Sequence, residues 1–306
     1  MESTSKSSGG GQVCYPTYVL ITPARNEAEF LEETIKCVVG QTLRPVKWVI
    51  ISDGSTDGTD EIVTKYAAEH QWIELLRMPE RTERNFAGKV HAFNAGYARV
   101  KKVRFDIIGN LDADISFDKD YFSFLLGKFA ENPQLGVGGT PFREGSHQYD
   151  YRFTNIEHVS GACQLFKREC FEEIGGYIPI KGGGIDWVAV TTARMKGWET
   201  KTFIGKTCLH QRKIGTGKSK ILMSRFRFGK QDYYLGGHPV WEIFRCLYQM
   251  KTSPLIIGGL FVFCGYLWAF ISRVKRPIPQ ELIEFRRNEQ MRRLKTIFNT
   301  TLKRDS

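Results

Sequence analysis

The 306-residue chain lacks the features that define several classes of protein. It has no Cys-x-x-Cys pair, and its seven cysteines are scattered, which is typical of a reduced compartment with mostly buried thiols. No homeodomain, zinc-finger or RNA-recognition signature is present, so we expect no nucleic-acid partner. The first twelve residues are polar, without an apolar stretch. We therefore expect no signal peptide there and interpret residues 1–14 as a disordered leader.

Positive charge is abundant and unevenly distributed. The formal net charge is +11, and residues 212–230 contain seven Lys or Arg and no acid. Residues 273–305 add ten basic residues against four acidic ones. Such asymmetry indicates anionic partners, which without a nucleic-acid motif means phosphates or acidic lipid head groups.

Strand-like and helix-like patterns alternate between residues 17 and 135. Apolar runs predict strands at 18–22, 46–52, 73–77 and 105–111, and helical spacing predicts helices at 27–39, 59–68, 88–100 and 118–130. Beyond residue 135 glycines crowd the chain, and we predict only a helix over 186–197 and short strands over 201–204 and 206–209. This alternation favours an α/β fold with a parallel sheet, which binds ligands beyond the carboxyl ends of its strands.

Two carboxylates follow the fourth predicted strand. Asp112 and Asp114 are two residues apart, so on an extended backbone they share one face. Such oxygen ligands suit a Mg²⁺ or Mn²⁺ ion that also holds diphosphate oxygens. The alternative is a solvated strand end with a turn aspartate.

Other polar residues fall at the ends of the first two strands and the start of the third helix. The segment 22–27 can form a nucleotide cradle, although Asn26 or Glu27 can equally cap or begin a helix. Asp53 can accept hydrogen bonds from a base or ribose. Lys89 can meet a phosphate, and the alternative is an ordinary exposed lysine.

The last seventh of the chain differs in character. Residues 253–271 carry no charge, and as a helix they would span roughly 28 Å, close to the ~30 Å core of a bilayer. Basic residues flank both sides, so a spanning helix, an interfacial or re-entrant helix and a buried core helix all stay open. Five apolar residues of the tail share one helical face: Ile283, Met291, Leu294, Phe298 and Leu302. This pattern predicts a basic amphipathic helix at a membrane, with an ordinary surface helix as the alternative.

Four motifs occur in order: Pro-Ala-Arg-Asn-Glu at 23–27, Asp-Gly-Ser-Thr-Asp-Gly-Thr at 53–59, Gly-Lys at 88–89 before Asn-Ala-Gly at 94–96, and Leu-Asp-Ala-Asp at 111–114. Together they resemble the family 2 glycosyltransferases over roughly residues 18–212. The resemblance implies a GT-A fold, a single α/β domain with a mostly parallel central sheet. We place this domain at 15–235, followed by a C-terminal helical, membrane-associated region at 236–306.

The resemblance also implies inverting sugar transfer from a nucleotide-diphosphate sugar, assisted by a divalent metal. Four positions would frame the base and ribose: Pro23, Arg25, Glu27 and Asp53. Lys89 would lie near the nucleotide, Asp112 would touch the ribose or sugar, and Asp114 would bind the metal.

The remaining implied residues lie further along the chain. Family members usually have a Glu-Asp pair whose Asp is the general base, and this chain has Ile185 and Asp186 there. Inversion needs such a carboxylate opposite the leaving group; a helix cap is the alternative for Asp186. His210 would complete the metal site with Asp114, a mixed oxygen and nitrogen set acceptable to Mn²⁺. We interpret residues 212–219, including Arg212, as a mobile basic loop over the diphosphate.

The leading hypothesis is a membrane-associated glycosyltransferase whose catalytic domain faces the cytoplasm, where nucleotide sugars are available. Its acceptor would be a lipid-linked sugar or a growing polysaccharide. Because residues 112–116 resemble the nucleophile loop of haloacid-dehalogenase-like phosphatases, a phosphohydrolase is a second hypothesis. A catalytically silent nucleotide-binding scaffold at a membrane is a third.

Overall fold

The computed structural model describes residues 14–80, 86–143, 156–212, 218–250 and 255–302. The strands of these segments are β1 (Tyr18–Ala24), β2 (Lys47–Asp53), β3 (Ile73–Met78), β4 (Ile107–Leu111), β5 (Ile115–Ser116), β6 (Leu135–Gly139), β7 (Phe142–Arg143), β8 (Cys163–Lys167), β9 (Glu199–Thr202) and β10 (Cys208–His210). The helices are α1 (Leu31–Val39), α2 (Thr59–Glu69), α3 (Phe86–Val100), α4 (Tyr121–Glu131), α5 (Arg168–Glu173), α6 (Ile185–Met195), α7 (Lys218–Tyr234), α8 (Pro239–Gln249), α9 (Ile257–Ile271) and α10 (Gln280–Leu302).

A seven-stranded sheet forms the centre of the fold, in the order β3-β2-β1-β4-β8-β6-β9. Every neighbouring pair is parallel except the two that β8 makes with β4 and β6. The predicted α/β architecture with a mostly parallel sheet is therefore confirmed. The reversed strand β8 was not predicted.

The core lies on both faces of this sheet. Successive side chains of a strand point to opposite faces, so in β1 Val19 and Ile21 join the cluster that contains α3, whereas Leu20 joins the cluster that contains α1. Helix α3 lies very close to the sheet, because a Cβ on Gly96 would lie 2.6 Å from the Ile51 side chain. Burial on both faces explains why the first strands are continuous apolar runs.

A small second sheet, in the order β5-β10-β7, lies next to the carboxyl end of β4. Strand β5 starts one residue after Asp114, and His210 of β10 pairs with Ile115 of β5 in antiparallel register. The sheet thereby brings a histidine nearly a hundred residues away in sequence to the end of β4.

Several predicted boundaries are corrected. The helix predicted over 27–39 begins at Leu31, because Asn26 adopts a left-handed backbone (φ 55°) and the chain turns before the helix starts. Neither Asn26 nor Glu27 caps α1, whose N-cap is Phe30. The strand predicted over 201–204 is β9, Glu199–Thr202, and that over 206–209 is β10, Cys208–His210.

The C-terminal region consists of α7 to α10. Helix α9 covers the later part of the uncharged segment, and residues 251–254 lie outside the described ranges. Over the segments that the structure describes, no helix combines the length and the apolar character needed to cross a membrane.

Helix α10 departs from the membrane-contacting amphipathic helix predicted for the tail. Its apolar residues Ile283 and Leu294 are buried in the protein, while Phe298 is exposed. The helix packs against α6 and α8. Much of the predicted apolar face is thus covered by the fold, which favours the surface-helix alternative.

Candidate active site

The loops after β1 and β2 form one hydrogen-bonded unit. The Asn26 amide donates to Ser55 Oγ at 3.1 Å, and Asn26 Oδ1 accepts from the Thr56 amide at 2.9 Å. The Glu27 amide donates to Thr59 Oγ1 at 2.9 Å. Two motifs separated by nearly thirty residues therefore support each other at the carboxyl edge of the sheet.

The residues predicted to frame a base and ribose lie at this edge. Pro23 is in β1, beside Ile51 of β2, and Arg25 follows directly after β1. Asp53 ends β2 and is 4% exposed. The side chains of Pro23 and Arg25 are half-buried.

Asp112 and Lys89 form an ion pair at the end of β4. Lys89 belongs to the first turn of α3 and donates a hydrogen bond to the Asp112 carboxylate. Burial lowers the pKa of Lys89, but the Asp112 charge outweighs it, and the pKa lies above its usual value. Lys89 is therefore a charged, half-buried group, and the alternative of an ordinary exposed lysine is wrong.

Asp114 receives contacts from the strand end that carries His210. His210 Nε2 lies 3.4 Å from Asp114 Oδ2, and Arg212 Nε lies 3.2 Å from the same oxygen. The Arg212 guanidinium also pairs with the Glu27 carboxylate. The Gln211 amide donates to the Asp114 carbonyl at 2.8 Å. The Asp114 carboxylate is thus in contact with both the predicted metal ligand His210 and the predicted diphosphate residue Arg212. Residues 213–217 of the predicted basic loop lie outside the described ranges.

The donor set around Asp114 fits a divalent ion that is held partly by its substrate. One carboxylate and one imidazole converge there, a combination acceptable to Mn²⁺. Within the described residues no cluster of three or more His, Cys, Asp or Glu side chains is placed to hold a metal. Mg²⁺ commonly takes one or two protein carboxylates and completes its shell with phosphate oxygens and water, so two protein ligands are compatible with a metal–diphosphate complex.

A cavity of about 430 Å³ is lined by four of the predicted site residues, whereas Asp114 and Arg212 do not line it. Its walls include Lys89, Asp112, His210 and Asp186. Asp186 lies in the first turn of α6, and Asp186 Oδ2 accepts a hydrogen bond from the Gly161 amide at 3.2 Å. The N-cap of α6 is Gly184, with a left-handed backbone (φ 85°). The alternative that Asp186 is the helix cap is therefore wrong.

The segment before β8 connects the two sides of the cavity, and the sequence did not reveal it. The Asp112 amide donates to the Ala162 carbonyl at 2.8 Å, and Asn110 Nδ2 donates to the Gly161 carbonyl at 2.6 Å. Position 161 is tight, because a Cβ there would lie 3.0 Å from the Cβ of Asp186 and would require the Asp186 side chain to shift.

Three further cavity residues were missed. Phe86 lines the wall and is 57% exposed. Burial lowers the pKa of His158, although the Asp186 charge opposes this shift. The Tyr177 hydroxyl donates to Gln164 Oε1 at 2.6 Å. No local motif marks these residues: Phe86 lies just before the predicted start of α3, and His158 and Tyr177 lie in irregular segments that reach the cavity through long-range packing.

Solved structures define the class of fold. The mannosyltransferase PcManGT from Pyrobaculum calidifontis, solved with GDP-Man and Mn²⁺, aligns with a TM-score of 0.57 and 20% identity, over 85% of this chain and 73% of that one. GalNAc-T7, solved with UDP, GalNAc and Mn²⁺, aligns with a TM-score of 0.56 and 13% identity, over 85% and 56% of the two chains. The chain therefore has the fold of nucleotide-sugar-dependent transferases of the GT-A type.

Sequence comparison identifies the family to which the chain belongs. Residues 19–178 match the model of glycosyl transferase family 2, and the chain belongs to that family. Poly-β-1,6-N-acetyl-D-glucosamine synthase of Staphylococcus aureus strain COL is 26% identical over 170 residues, and the enzyme of Staphylococcus epidermidis is 26% identical over 174. Each match covers 49% of this chain and 39% of the relative, so the chain matches well under half of these synthases.

Proposed function

We propose that the protein transfers a sugar, with inversion, from a nucleotide-diphosphate sugar to a hydroxyl acceptor. The observation that carries the proposal is the cavity whose walls include both the Asp186 carboxylate and the group of Lys89, Asp112 and His210. Inverting transfer needs a proton acceptor on one side of the anomeric carbon and positive charge near the departing diphosphate on the other.

Asp186 is the proposed general base. Its carboxylate accepts one hydrogen bond from the Gly161 amide, and this contact fixes its orientation while the other oxygen can take a proton from the acceptor hydroxyl. The proton moves to Asp186 as the hydroxyl oxygen attacks the anomeric carbon and the bond to the diphosphate breaks. Ile185, where the family usually has a glutamate, is buried and takes no part in this transfer.

Asp114 and His210 are the proposed ligands of Mn²⁺ or Mg²⁺, which when bound supplies a Lewis acid for the leaving diphosphate. Arg212 contacts Asp114 and Glu27 and would add positive charge on the same side. Lys89 keeps Asp112 oriented toward the ribose or sugar. Pro23, Arg25, Glu27 and Asp53 would frame the base and ribose, consistent with their position at the edge of the sheet.

The acceptor is proposed from the names of the relatives. The related synthases are named for a polymer of N-acetylglucosamine, and we propose a glycan or lipid-linked sugar as acceptor. We further propose that the catalytic domain works at a membrane on its cytoplasmic side, where donors are available. The cationic C-terminal region supports this location.

A phosphohydrolase is not favoured. The Asp-x-Asp element belongs to a family 2 domain, and Asp112, which would have to act as nucleophile, is ion-paired with Lys89. A catalytically silent scaffold would bind donors without turnover, and the following experiment distinguishes it.

Donors are first found by the increase in melting temperature that nucleotide sugars produce with Mn²⁺, since a ligand of the folded state stabilises it. For Asp186→Asn we then expect kcat to fall by roughly 10²–10⁴-fold, the usual contribution of a general base, with the donor Kd unchanged. Asp118→Asn, an exposed carboxylate paired with Lys206, is the matched control. Full turnover by Asp186→Asn would show that the base is another group, and no turnover of any donor by the wild type would favour the silent scaffold.

A further inference from the structure

Exposed apolar side chains are concentrated in the C-terminal helices. Of the 21 large hydrophobic residues that are exposed in the described part of the chain, 15 lie after residue 220. A concentration of exposed apolar side chains suggests a surface that contacts another molecule or a membrane. We call the part of it on α8 and α9 the outer helical face, and its members are Val240, Ile243, Leu247, Ile257, Leu260, Leu267, Trp268, Phe270 and Ile271.

Helix α9 presents this face in a fixed orientation because its opposite side is packed tightly on α7 and α8. Small residues permit the close approach. A Cβ on Gly265 would lie 2.0 Å from the Phe226 carbonyl oxygen, and one on Gly229 would lie 1.8 Å from that of Val262. The side of α9 that carries Gly265 is therefore buried against α7. Leu267 and Ile271 are exposed, and the Trp268 ring, also exposed in part, lies beside Phe226 and Lys230 of α7.

The surroundings of the outer helical face are cationic. Over residues 221–250 and 255–280, which the structure describes, the chain carries seven Lys or Arg and two acids. Both acids, Asp232 and Glu242, are buried, 4% and 0% exposed. Lys230 Nζ lies 4.9 Å from the centre of the Trp268 ring. The accessible charge around the apolar face is thus positive.

We infer that the outer helical face binds the surface of an anionic lipid bilayer, with its apolar side chains in the head-group region and its Lys and Arg at the lipid phosphates. Apolar surface and basic charge act together in such binding, and Trp268 suits the membrane interface. A second copy of the chain is a poorer occupant, because a symmetric pair would bring two cationic surfaces together. The inference deepens the proposed membrane location, and it assigns the contact to α8 and α9 rather than to the tail helix.

The test uses the full chain and sedimentation with phosphatidylcholine vesicles that contain or lack phosphatidylserine. The wild type is expected to bind the anionic vesicles, and Leu267→Glu combined with Ile271→Glu to lower the partition coefficient at least tenfold. The matched control is Ile204→Glu, which alters an equally exposed apolar residue (63%) outside the C-terminal helices. An unchanged melting temperature establishes that each variant is folded.

Three outcomes would overturn the inference: no binding of the wild type to anionic vesicles, equal binding by the double variant, or a wild-type dimer that the double variant dissociates while vesicles are not bound. The last outcome would assign the face to self-association. Asp186→Asn should bind vesicles like the wild type, so loss of sugar transfer and loss of membrane binding can be told apart.

Discussion

Arg212 is the residue whose contacts most directly affect metal binding. Its guanidinium lies at the Asp114 carboxylate and pairs with Glu27. A cation that binds Asp114 must compete with this charge. In the absence of donor, the Arg212 guanidinium therefore acts as the counter-ion of the Asp114 carboxylate, the proposed metal ligand.

We predict that Arg212→Ala binds Mn²⁺ more tightly than the wild type in the absence of donor, by about fivefold, because a partly exposed ion pair is worth up to about 1 kcal/mol. Donor affinity with Mn²⁺ present should fall, since a positive group near the diphosphate is lost. Electron paramagnetic resonance of free Mn²⁺ measures the first effect. Arg99→Ala, which breaks an exposed pair with Glu74, should change neither value, and unchanged Mn²⁺ affinity in Arg212→Ala would contradict the competition.

Gly161 is the residue on which the orientation of Asp186 depends. We predict that Gly161→Ala lowers kcat about tenfold while donor affinity is kept, because the added methyl group displaces the Asp186 carboxylate and small misplacements of a catalytic group are costly. Steady-state kinetics with separate determination of donor Kd measures the change. Gly127→Ala, where a Cβ meets only ordinary contact at 3.7 Å, is the control. A normal kcat would mean that Asp186 is positioned by other contacts.

At the scale of elements, a buried charged cluster joins α7, α8 and α10. Arg286 of α10 donates hydrogen bonds to the Asp232 and Leu235 carbonyls and to the Asp232 carboxylate, while Arg245 pairs with Asp232 and Glu242. Burial first, and then the Asp232 charge, raises the pKa of Glu242 to about 8. The folded protein therefore holds a proton on Glu242 that the unfolded chain releases near pH 4.5.

This shift gives a pH dependence of stability. Between about pH 5 and pH 8 the folded state holds a proton on Glu242 that the unfolded state has lost, so the contribution of Glu242 to the stability of the wild type falls as pH rises. We predict that Glu242→Gln lacks this loss and that its melting temperature exceeds that of the wild type near pH 8, by roughly 2–4 °C for each kcal/mol gained. Scanning calorimetry across this range is the measurement, with the exposed Glu131→Gln as reference. Parallel profiles of wild type and Glu242→Gln would show that Glu242 is already ionised in the folded protein.

The sequence predicted some elements well and others not at all. Strands β1 to β4 are apolar runs between amphipathic helices, so hydrophobic pattern locates them. Strand β6, Leu135–Gly139, has three glycines in five residues, and glycine normally argues against a strand. Strand β8 reverses the direction of the sheet, which alternation of elements cannot indicate. Both β6 and β8 form because of pairing with strands that are distant in the sequence.

The same reason limits prediction of the site. Asp112, Asp114, Asp186 and His210 were predicted because each stands in or near a family motif. Gly161, His158 and Phe86 were not, because nothing local distinguishes a glycine or an aromatic residue that reaches a cavity through tertiary packing. In the tail, helical periodicity placed Ile283 and Leu294 on the buried side of α10, but it missed Leu282, Arg286 and Gln290, which are also buried, and Phe298 is exposed. Periodicity also does not state whether protein or lipid covers an apolar face.

At the scale of the whole molecule, charged residues are distributed unevenly between the sheet edge and the C-terminal helices. The sheet edge carries the carboxylates and their paired cations, whereas the surplus of positive charge lies on the C-terminal helices. We predict that vesicle binding by the full chain weakens as salt is raised from low to physiological concentration, since screening acts within a Debye length of about 8–10 Å. Co-sedimentation over a salt series measures this, and binding that is independent of salt would mean that apolar contact alone is responsible.

Residues 161 and 162 contact both Asp186 and Asp112. The Gly161 amide donates a hydrogen bond to the Asp186 carboxylate, and the Ala162 carbonyl accepts one from the Asp112 amide. In the proposed reaction, the distance between the Asp186 base and the departing diphosphate would therefore depend on the main chain of this segment as well as on the Asp186 side chain. For the proposed enzyme we therefore expect that replacement of wall residues such as Phe86 and His158 changes which sugar is admitted, while Asp112 and Asp186 keep their positions.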